Sequence, residues 1–138
     1  MFSWKDYSKV AKSLQKYAPV NSTVSEGFFR SAVSRAYYAI YHLSLEYAKS
    51  KGYNERTYRN KLIKRANYRG GKGSHAVLIQ YLLDDSDAKV NKLGTLLKTC
   101  KDKRSECDYE ASVLVNTRYV TIAFAHTDNI LPLILTLP

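Results

Sequence analysis

Arg35 and His42 are the first residues of this sequence whose types and spacing could do chemistry. They are seven positions apart in an apolar, aromatic-rich segment, residues 31–42. Seven residues make nearly two helical turns, so both side chains are expected on one face, about 10.5 Å apart along the axis. A cation and an imidazole on an apolar stripe need polar partners when they are buried. The pair is therefore a candidate functional site.

Arg104 is the second candidate, because it interrupts the apolar stripe of a later predicted helix. The members of this stripe are spaced by three or four positions and are Val90, Leu93, Leu97, Cys100, Arg104 and Cys107. Asp108 lies one turn after Arg104, so an ion pair between them is expected. The two cysteines are about 10.5 Å apart along a helix, too far for a disulfide. Reduced thiols and a cytoplasmic protein are therefore predicted.

The third feature is a basic segment, residues 49–72. It contains nine lysines and arginines and a single acid, Glu55, in a chain whose formal net charge is +10. This charge favours a polyanion such as RNA, and the interleaved Tyr53, Tyr58 and Tyr68 could stack on bases. The alternative is a solvated loop that only aids solubility. The predicted RNA-binding residues are Arg56, Arg59, Lys61, Lys64, Arg65, Arg69 and Lys72.

The elements that must position these residues read as helices throughout. Ser3 is predicted to cap a first helix that Pro19 ends. Thr23 and Glu26 form a capping-box pattern, which predicts the start of a long second helix. Gly52 is expected to close that helix.

The rest of the chain is predicted to contain shorter helices. The basic segment is expected to be a loop with one helical group near residues 56–66. Ser74, Ser86 and Asn116 are predicted to begin three further helices, and strand remains an alternative for the last because it is rich in β-branched residues. Pro132 is expected to mark the start of an apolar tail. With 138 residues, the sequence predicts one all-α domain, residues 1–138, built as an up-down bundle of four to five helices.

Several classes of protein do not fit the sequence. No apolar run approaches the roughly 18–20 residues that span a bilayer, and the first residues lack the pattern of a signal peptide. We therefore expect no membrane association. The three histidines and two cysteines do not have the spacing of a zinc site, and no phosphate-binding glycine motif is present. We expect neither a metal nor a cofactor.

Several segments together resemble the HEPN superfamily. The resemblance is to its small bacterial and archaeal branch, whose chains carry an S-R-A-Y-Y-A-x-F/Y-H helix and a later R-x-x-A-D-Y-D segment. The similar parts of this chain are residues 34–42, 73–80 and 104–110, together with the opening residues 2–7. The resemblance implies a HEPN-like helical bundle, the same fold class that the periodicity predicts.

The resemblance also implies two kinds of function. Many HEPN proteins are metal-independent ribonucleases that act as homodimers and use an Arg followed, after four to six residues, by a His. In such a site the His moves a proton at the ribose 2′-OH and the Arg stabilises charge on the phosphate. Other members have lost this motif and serve as binding modules, and small nucleotidyltransferases are frequent partners in toxin pairs of this family.

This chain departs from the catalytic pattern. Tyr109 stands four intervening residues after Arg104, where the family has a His, and tyrosine is a poor base near neutral pH. Arg35 and His42 satisfy an R-x6-H string, but Ala36 follows the Arg and the pair lies outside the motif's usual place. We expect an RNA-binding protein of toxin or defence type whose ribonuclease motif is degenerate. The predicted catalytic residues are Arg104, Tyr109, Asp108, His75, His42 and Arg35.

Other functions for the chain, and structural roles for several of these residues, remain open at this point. The chain could be a non-catalytic module that partners a nucleotidyltransferase or another protein, or an accessory domain that binds a nucleotide or small ligand. His42 and His75 could be structural residues. Tyr37, Tyr38 and Tyr41 are expected to be packing residues with their hydroxyls at the surface. A homodimer is expected whose interface includes the faces of Arg35, His42 and Arg104.

Overall fold

The computed structural model describes residues 1, 3–20, 22 and 24–138 and contains six α-helices in this part of the chain. They are α1 (Trp4–Lys16), α2 (Ser25–Ser50), α3 (Glu55–Ile63), α4 (Ser74–Leu83), α5 (Ala88–Tyr109) and α6 (Thr117–Leu135). No strand occurs among the described residues. The all-α prediction is confirmed, and the helix count is six rather than four to five, because the basic segment forms α3.

Several predicted helix ends are confirmed. The Ser3 hydroxyl accepts a hydrogen bond from the Lys5 N–H, and a capping box with Asp6 completes the start of α1. Gly52 follows α2 with φ of +89°, a left-handed conformation that glycine adopts at little cost. The Asn116 side chain accepts from the Tyr119 N–H and caps α6. The predicted cap at Thr23 lies outside the described residues.

Two predicted caps are displaced by one residue. Gly73, not Ser74, is the N-cap of α4, because the Ser74 hydroxyl instead donates to the Glu55 carboxylate at 2.7 Å. Asp87, not Ser86, caps α5, since its carboxylate accepts from two backbone N–H groups of the first turn. The prediction that Pro132 begins a tail is wrong. This proline lies inside α6, whose following residues pack against the core and hold the helix to Leu135.

Helix α2 is the centre of the bundle. It packs against α1, α5 and α6, while α4 packs against α5 and α3 against α4. Gly94 of α5 brings α5 close to the end of α4, because a Cβ atom at this position would lie 2.9 Å from the backbone nitrogen of Leu83. Within the described residues, no helix combines the length and the apolar character needed to cross a membrane.

Candidate functional site

Arg104 is at the centre of a polar cluster formed by α2, α4 and α5. Its side chain is 15% exposed, and its Nε lies 2.6 Å from Oδ2 of Asp108, so the predicted ion pair is confirmed. The Nε–H does not point at the carboxylate, so this contact is an ion pair rather than an aligned hydrogen bond. Nη2 donates to the Tyr38 hydroxyl at 2.9 Å. Among the described residues, Nη1 has no hydrogen-bond partner.

Three aromatic rings surround the Arg104 guanidinium. Its carbon atom lies 6.0 Å from the Tyr37 ring centroid, 5.2 Å from that of Tyr38 and 5.5 Å from that of Tyr109. Cations are attracted to ring faces at such distances. Tyr109 is 75% exposed, so its ring is the solvent-facing member of the set. A ligand that reaches the guanidinium would therefore meet Tyr109 as well.

His75 reaches the same cluster from the first turn of α4. Its Nδ1 is 2.5 Å from the Tyr37 hydroxyl, and its ring stacks on Tyr41 with centroids 4.0 Å apart. Burial raises the pKa of Tyr37, so its hydroxyl stays protonated and shares one hydrogen bond with Nδ1 of His75. Burial and the neighbouring cations Arg104 and Lys101 lower the pKa of His75 to about 4. His75 is therefore neutral at pH 7.

His42 lies at the edge of this cluster. Its ring stacks on Trp4 of α1, with centroids 3.5 Å apart and an interplanar angle of 10°, and its centroid is 6.3 Å from that of Tyr38. Burial lowers the pKa of His42. Arg35 is exposed and lies over the Tyr7 ring at 5.3 Å, so it contacts α1 rather than Arg104.

The structure thus brings together most of the predicted catalytic residues. Arg104, Asp108 and Tyr109 form one contact group, and His75 joins it through Tyr37. The prediction of surface hydroxyls is wrong for Tyr37, which is buried on His75. Tyr38 was expected only to pack, yet its hydroxyl is the acceptor for Arg104. Its place on the α2 stripe between Arg35 and His42 was the signal in the sequence that could have identified it.

Arg30 is a structural residue beside the site that sequence reasoning missed. It projects from α2 and covers the end of α5 and the loop that follows. Its Nη groups donate to four backbone carbonyls at 2.5–3.3 Å, those of Glu106, Cys107, Glu110 and Val113. Nε and Nη2 also donate to the Glu26 carboxylate, which accepts a hydrogen bond from the Val115 N–H.

These hydrogen bonds of Arg30 fix the turn of α5 that carries Asp108 and Tyr109, because they give donors to carbonyls that lack helical partners at the end of the helix. The only local signal for Arg30 was the i,i+4 spacing of Glu26 and Arg30.

The predicted RNA-binding residues divide into two groups. Arg59 pairs with Glu55 and donates to the Lys72 carbonyl at 2.9 Å, and Arg65 pairs with Asp84 at 2.6 Å. Arg69 donates to the Ala66 carbonyl at 2.9 Å. The guanidinium groups of these three arginines bind acceptors within the chain itself.

The other four residues of the predicted set are exposed. They have no side-chain hydrogen bond or ion pair to any described residue, and they are Arg56, Lys61, Lys64 and Lys72. Arg56 and Lys61 lie on α3 and Lys64 is its C-cap residue, and all three lie away from the buried Leu62. We call these three residues the outer face of α3. It is the part of the basic segment that is available to an anionic partner.

The tyrosines of the basic segment all make structural contacts. Tyr53 is 7% exposed and belongs to the core, where it packs against Tyr58 and Tyr81. The Tyr58 hydroxyl donates to Asp84, and the Tyr68 hydroxyl donates to the Gly71 carbonyl at 2.6 Å. The stacking interpretation is therefore wrong for Tyr53, and the other two rings are held by structural contacts.

The two cysteines are buried and free, as predicted. Burial raises the pKa of Cys100 to about 12 and that of Cys107 to about 11, so both remain thiols near neutral pH. Neither is an activated nucleophile, because the thiolate is the reactive form.

The geometry supports anion binding more directly than proton transfer. Arg104 offers N–H donors beside an exposed ring, whereas a neutral His75 with a pKa of about 4 is a weak base and cannot act as a general acid at pH 7. Searches for matches to this chain among family models, curated proteins and solved structures found none.

Proposed function

We propose that this chain is a HEPN-type RNA-binding protein of a toxin or defence system, in which Arg104 binds a backbone phosphate. The observation that carries the proposal is that the Arg104 guanidinium is held in place but, within the described residues, keeps a free donor. It is mostly buried and positioned by Asp108 and Tyr38, yet its Nη1 has no hydrogen-bond partner in the described part of the chain. A fixed guanidinium with remaining donors suits a phosphate, which accepts two parallel hydrogen bonds.

The remaining residues fit this role in different ways. Tyr109 is exposed beside Arg104, so a base next to the bound phosphate could stack on its ring. The outer face of α3 adds three positive charges that would hold the strand through its phosphates. In a homodimer, as in the ribonucleases of the family, a second Arg104 would increase the positive charge at the site.

Any endoribonuclease activity of this site is proposed to be slow and independent of metal. The pKa of His75, about 4, is far from the operating pH, so His75 is a weak base for the proton of a ribose 2′-OH. His42 is stacked on Trp4 and lies further out. The loss of an effective acid–base residue typically costs about 10² to 10⁴ in rate.

The decisive experiment is RNA binding and cleavage in the presence of EDTA. Wild type, Arg104→Ala and Tyr109→His are compared on labelled single-stranded RNAs, with Arg118→Ala as a control because Arg118 is exposed and lies outside the site. We expect wild type to bind RNA, Arg104→Ala to bind at least about tenfold more weakly, and the control to match wild type. We also expect Tyr109→His, which restores the R-x4-H spacing, to increase cleavage.

The outcomes separate catalysis from binding. If wild type and Tyr109→His both leave every RNA intact while Arg104 still controls binding, the ribonuclease activity is rejected and RNA binding stands. If Arg104→Ala binds RNA as wild type does, the phosphate role is rejected. Sedimentation showing a monomer at tens of micromolar would reject the dimer.

A second candidate is a non-catalytic module that partners a nucleotidyltransferase. The observation that favours it is the internal pairing of Arg104 with Asp108, which leaves the cation partly neutralised without any ligand. This function predicts that Arg104→Ala changes stability or association with the partner and leaves RNA affinity unchanged. Co-purification with an adjacent nucleotidyltransferase gene product, followed by the same variant, tests it.

A further inference from the structure

A groove separate from the Arg104 cluster runs between α1 and α6 on the surface of α2. Both helices pack against α2, but in the described residues they do not pack extensively against each other. The groove has a volume of about 590 Å³. Lys12 of α1 pairs with Asp128 of α6 at 3.3 Å, and this contact bridges the two walls at one end.

The floor and one wall of the groove are apolar. Leu43 comes from α2, and Leu131, Ile134 and Leu135 come from the last turns of α6. Leu131 and Ile134 are partly buried against the core, whereas Leu135 is 74% exposed. The result is an exposed apolar strip with a shaped depression, of the kind that marks an interaction site.

The opposite wall carries a row of lysines. Lys5, Lys9 and Lys12 occupy positions i, i+4 and i+7 of α1, so their charges extend over about 10.5 Å along the helix. Among the described residues, Glu46 is the only acid that lines the groove, which leaves an excess of positive charge in its lining. Lys9 and Lys12 pair with Asp6 and Asp128, but these pairs are exposed and can be exchanged for other acids at little cost.

This arrangement matches a helix better than other ligands. Three ammonium groups spread over two turns cannot converge on the single carboxylate of a fatty acid. A second copy of this groove would bring two lysine rows into one interface, because a two-fold interface pairs each surface with itself. An amphipathic helix fits, since an apolar stripe can enter the groove while acids on its flank face the lysines.

We infer that this groove binds an amphipathic α-helix of another protein, one that carries a row of Asp or Glu beside its apolar stripe. The inference does not depend on the proposed RNA function, because the groove shares none of its lining residues with the Arg104 cluster. The helix would lie between α1 and α6 and complete the packing that these two helices do not make with each other.

The test uses a designed, fluorescein-labelled peptide of about 18 residues. Leucines at i, i+3, i+4 and i+7 form its apolar stripe, and glutamates at i+1, i+5 and i+8 form its flank. One control peptide has glutamine for each glutamate, and another has the same composition in scrambled order. Binding to the full chain is followed by fluorescence anisotropy. We expect the glutamate peptide to bind at least about tenfold more tightly than either control.

Protein variants localise the binding. Leu135→Asp should weaken it by at least about tenfold, because it places a carboxylate in the apolar strip. A variant with Lys5→Glu, Lys9→Glu and Lys12→Glu should reverse the preference and select a peptide with lysine for glutamate. Lys89→Glu with Lys92→Glu is the matched control, since both are exposed on α5, and it should bind as wild type does. Circular dichroism checks that each variant keeps its helices.

Three results would overturn the inference. The first is no binding of the glutamate peptide. The second is binding that Leu135→Asp and the triple charge reversal leave unchanged. The third is groove-dependent binding to vesicles with anionic lipid but not to the peptide, which would identify a membrane surface as the occupant. None of these results would affect RNA binding, so the two proposals can fail separately.

Discussion

Arg30 and Arg104 connect the same two helices in opposite directions, and their surroundings differ. Arg30 projects from α2 to the end of α5, where all three of its guanidinium nitrogens donate to backbone carbonyls or to Glu26. Arg104 projects from α5 to α2, where it meets the Tyr38 hydroxyl and two rings, while its own helix supplies the Asp108 carboxylate and the third ring. Arg30 thus uses its donors mainly on backbone carbonyls, whereas Arg104 keeps some N–H donors without an acceptor among the described residues.

The comparison teaches how to separate structural cations from candidate binding cations. A guanidinium has five N–H donors, and backbone carbonyls that lack helical partners can occupy them permanently. Side-chain acceptors and rings hold the group in place without exhausting its donors. The same difference divides the basic segment, where Arg59 and Arg65 are used internally and the outer face of α3 is available.

The largest expected effect is the loss of stability in Arg30→Ala. Removing this side chain leaves several carbonyls without a donor, so we expect the free energy of unfolding to fall by about 3 kcal/mol. Arg104→Ala should cost about 1 kcal/mol, because its partners are side chains that can reach water. Urea denaturation measures both, with the exposed Arg118→Ala as control. A larger loss for Arg104→Ala than for Arg30→Ala would contradict the comparison.

The second prediction extends the comparison to RNA binding. Arg56→Glu, Lys61→Glu and Lys64→Glu combined should reduce RNA affinity by about 10- to 100-fold, because the outer face loses its contacts with phosphates. The slope of log affinity against log salt should become shallower by about 2, near 0.7 for each phosphate contact with a single strand. Anisotropy titrations between low and moderate salt measure it.

The matched variant of this prediction is Arg59→Gln with Arg65→Gln. These residues pair with Glu55 and Asp84, so we expect lower stability in urea and an almost unchanged salt slope. A slope that changes equally in both variants would show that the internal pairs also contact RNA, and the division of the basic segment would then be wrong.

A smaller effect is expected from Tyr38→Phe. This change removes the acceptor of Arg104 Nη2 while keeping the ring under the guanidinium, and we expect a loss of about 0.5 kcal/mol in unfolding free energy. Tyr17→Phe is the control, because Tyr17 is exposed. Equal stability of the two variants would mean that this hydrogen bond does not position Arg104.

The last prediction concerns the pH dependence of stability that His75 contributes. Its pKa is about 4 in the fold and near 6.5 in the unfolded chain, so the unfolded state binds more protons between these values. The contribution of His75 to stability is complete above pH 6.5 and is lost as the pH falls through about 4. His75→Gln should flatten this part of the curve in urea denaturation, with the remaining slope partly from His42. An unchanged curve would show that His75 is not buried beside Arg104.

Local features of the fold could be predicted, because their causes are local. The caps at Ser3 and Asn116, the end of α2 at Gly52 and the core stripe of α5 depend on residues within a few positions of each other. The pairing of Arg104 with Asp108 is also one turn long. For the same reason the errors at Ser74 and Ser86 are only one residue in size.

Distant contacts could not be predicted, because no local pattern carries them. The carbonyls that Arg30 binds are 76–83 residues away in the sequence. Tyr53 is buried because the chain returns to place Tyr81 against it. The hydrogen bond from Tyr37 to His75 likewise joins α2 to α4 across 38 positions. The residue types of the site could therefore be identified in the sequence. The residues that they contact could be identified only in the folded structure.

Gly94 controls how closely α4 and α5 approach each other, at a place remote from the Arg104 cluster. Because α5 approaches the backbone of Leu83 so closely there, a methyl group would act as a wedge between α4 and α5. These two helices carry His75 and Arg104, and Arg104 lies ten residues, about 15 Å, further along α5. A single hydrogen atom in place of a methyl group thus sets the spacing of a histidine and an arginine that it never touches.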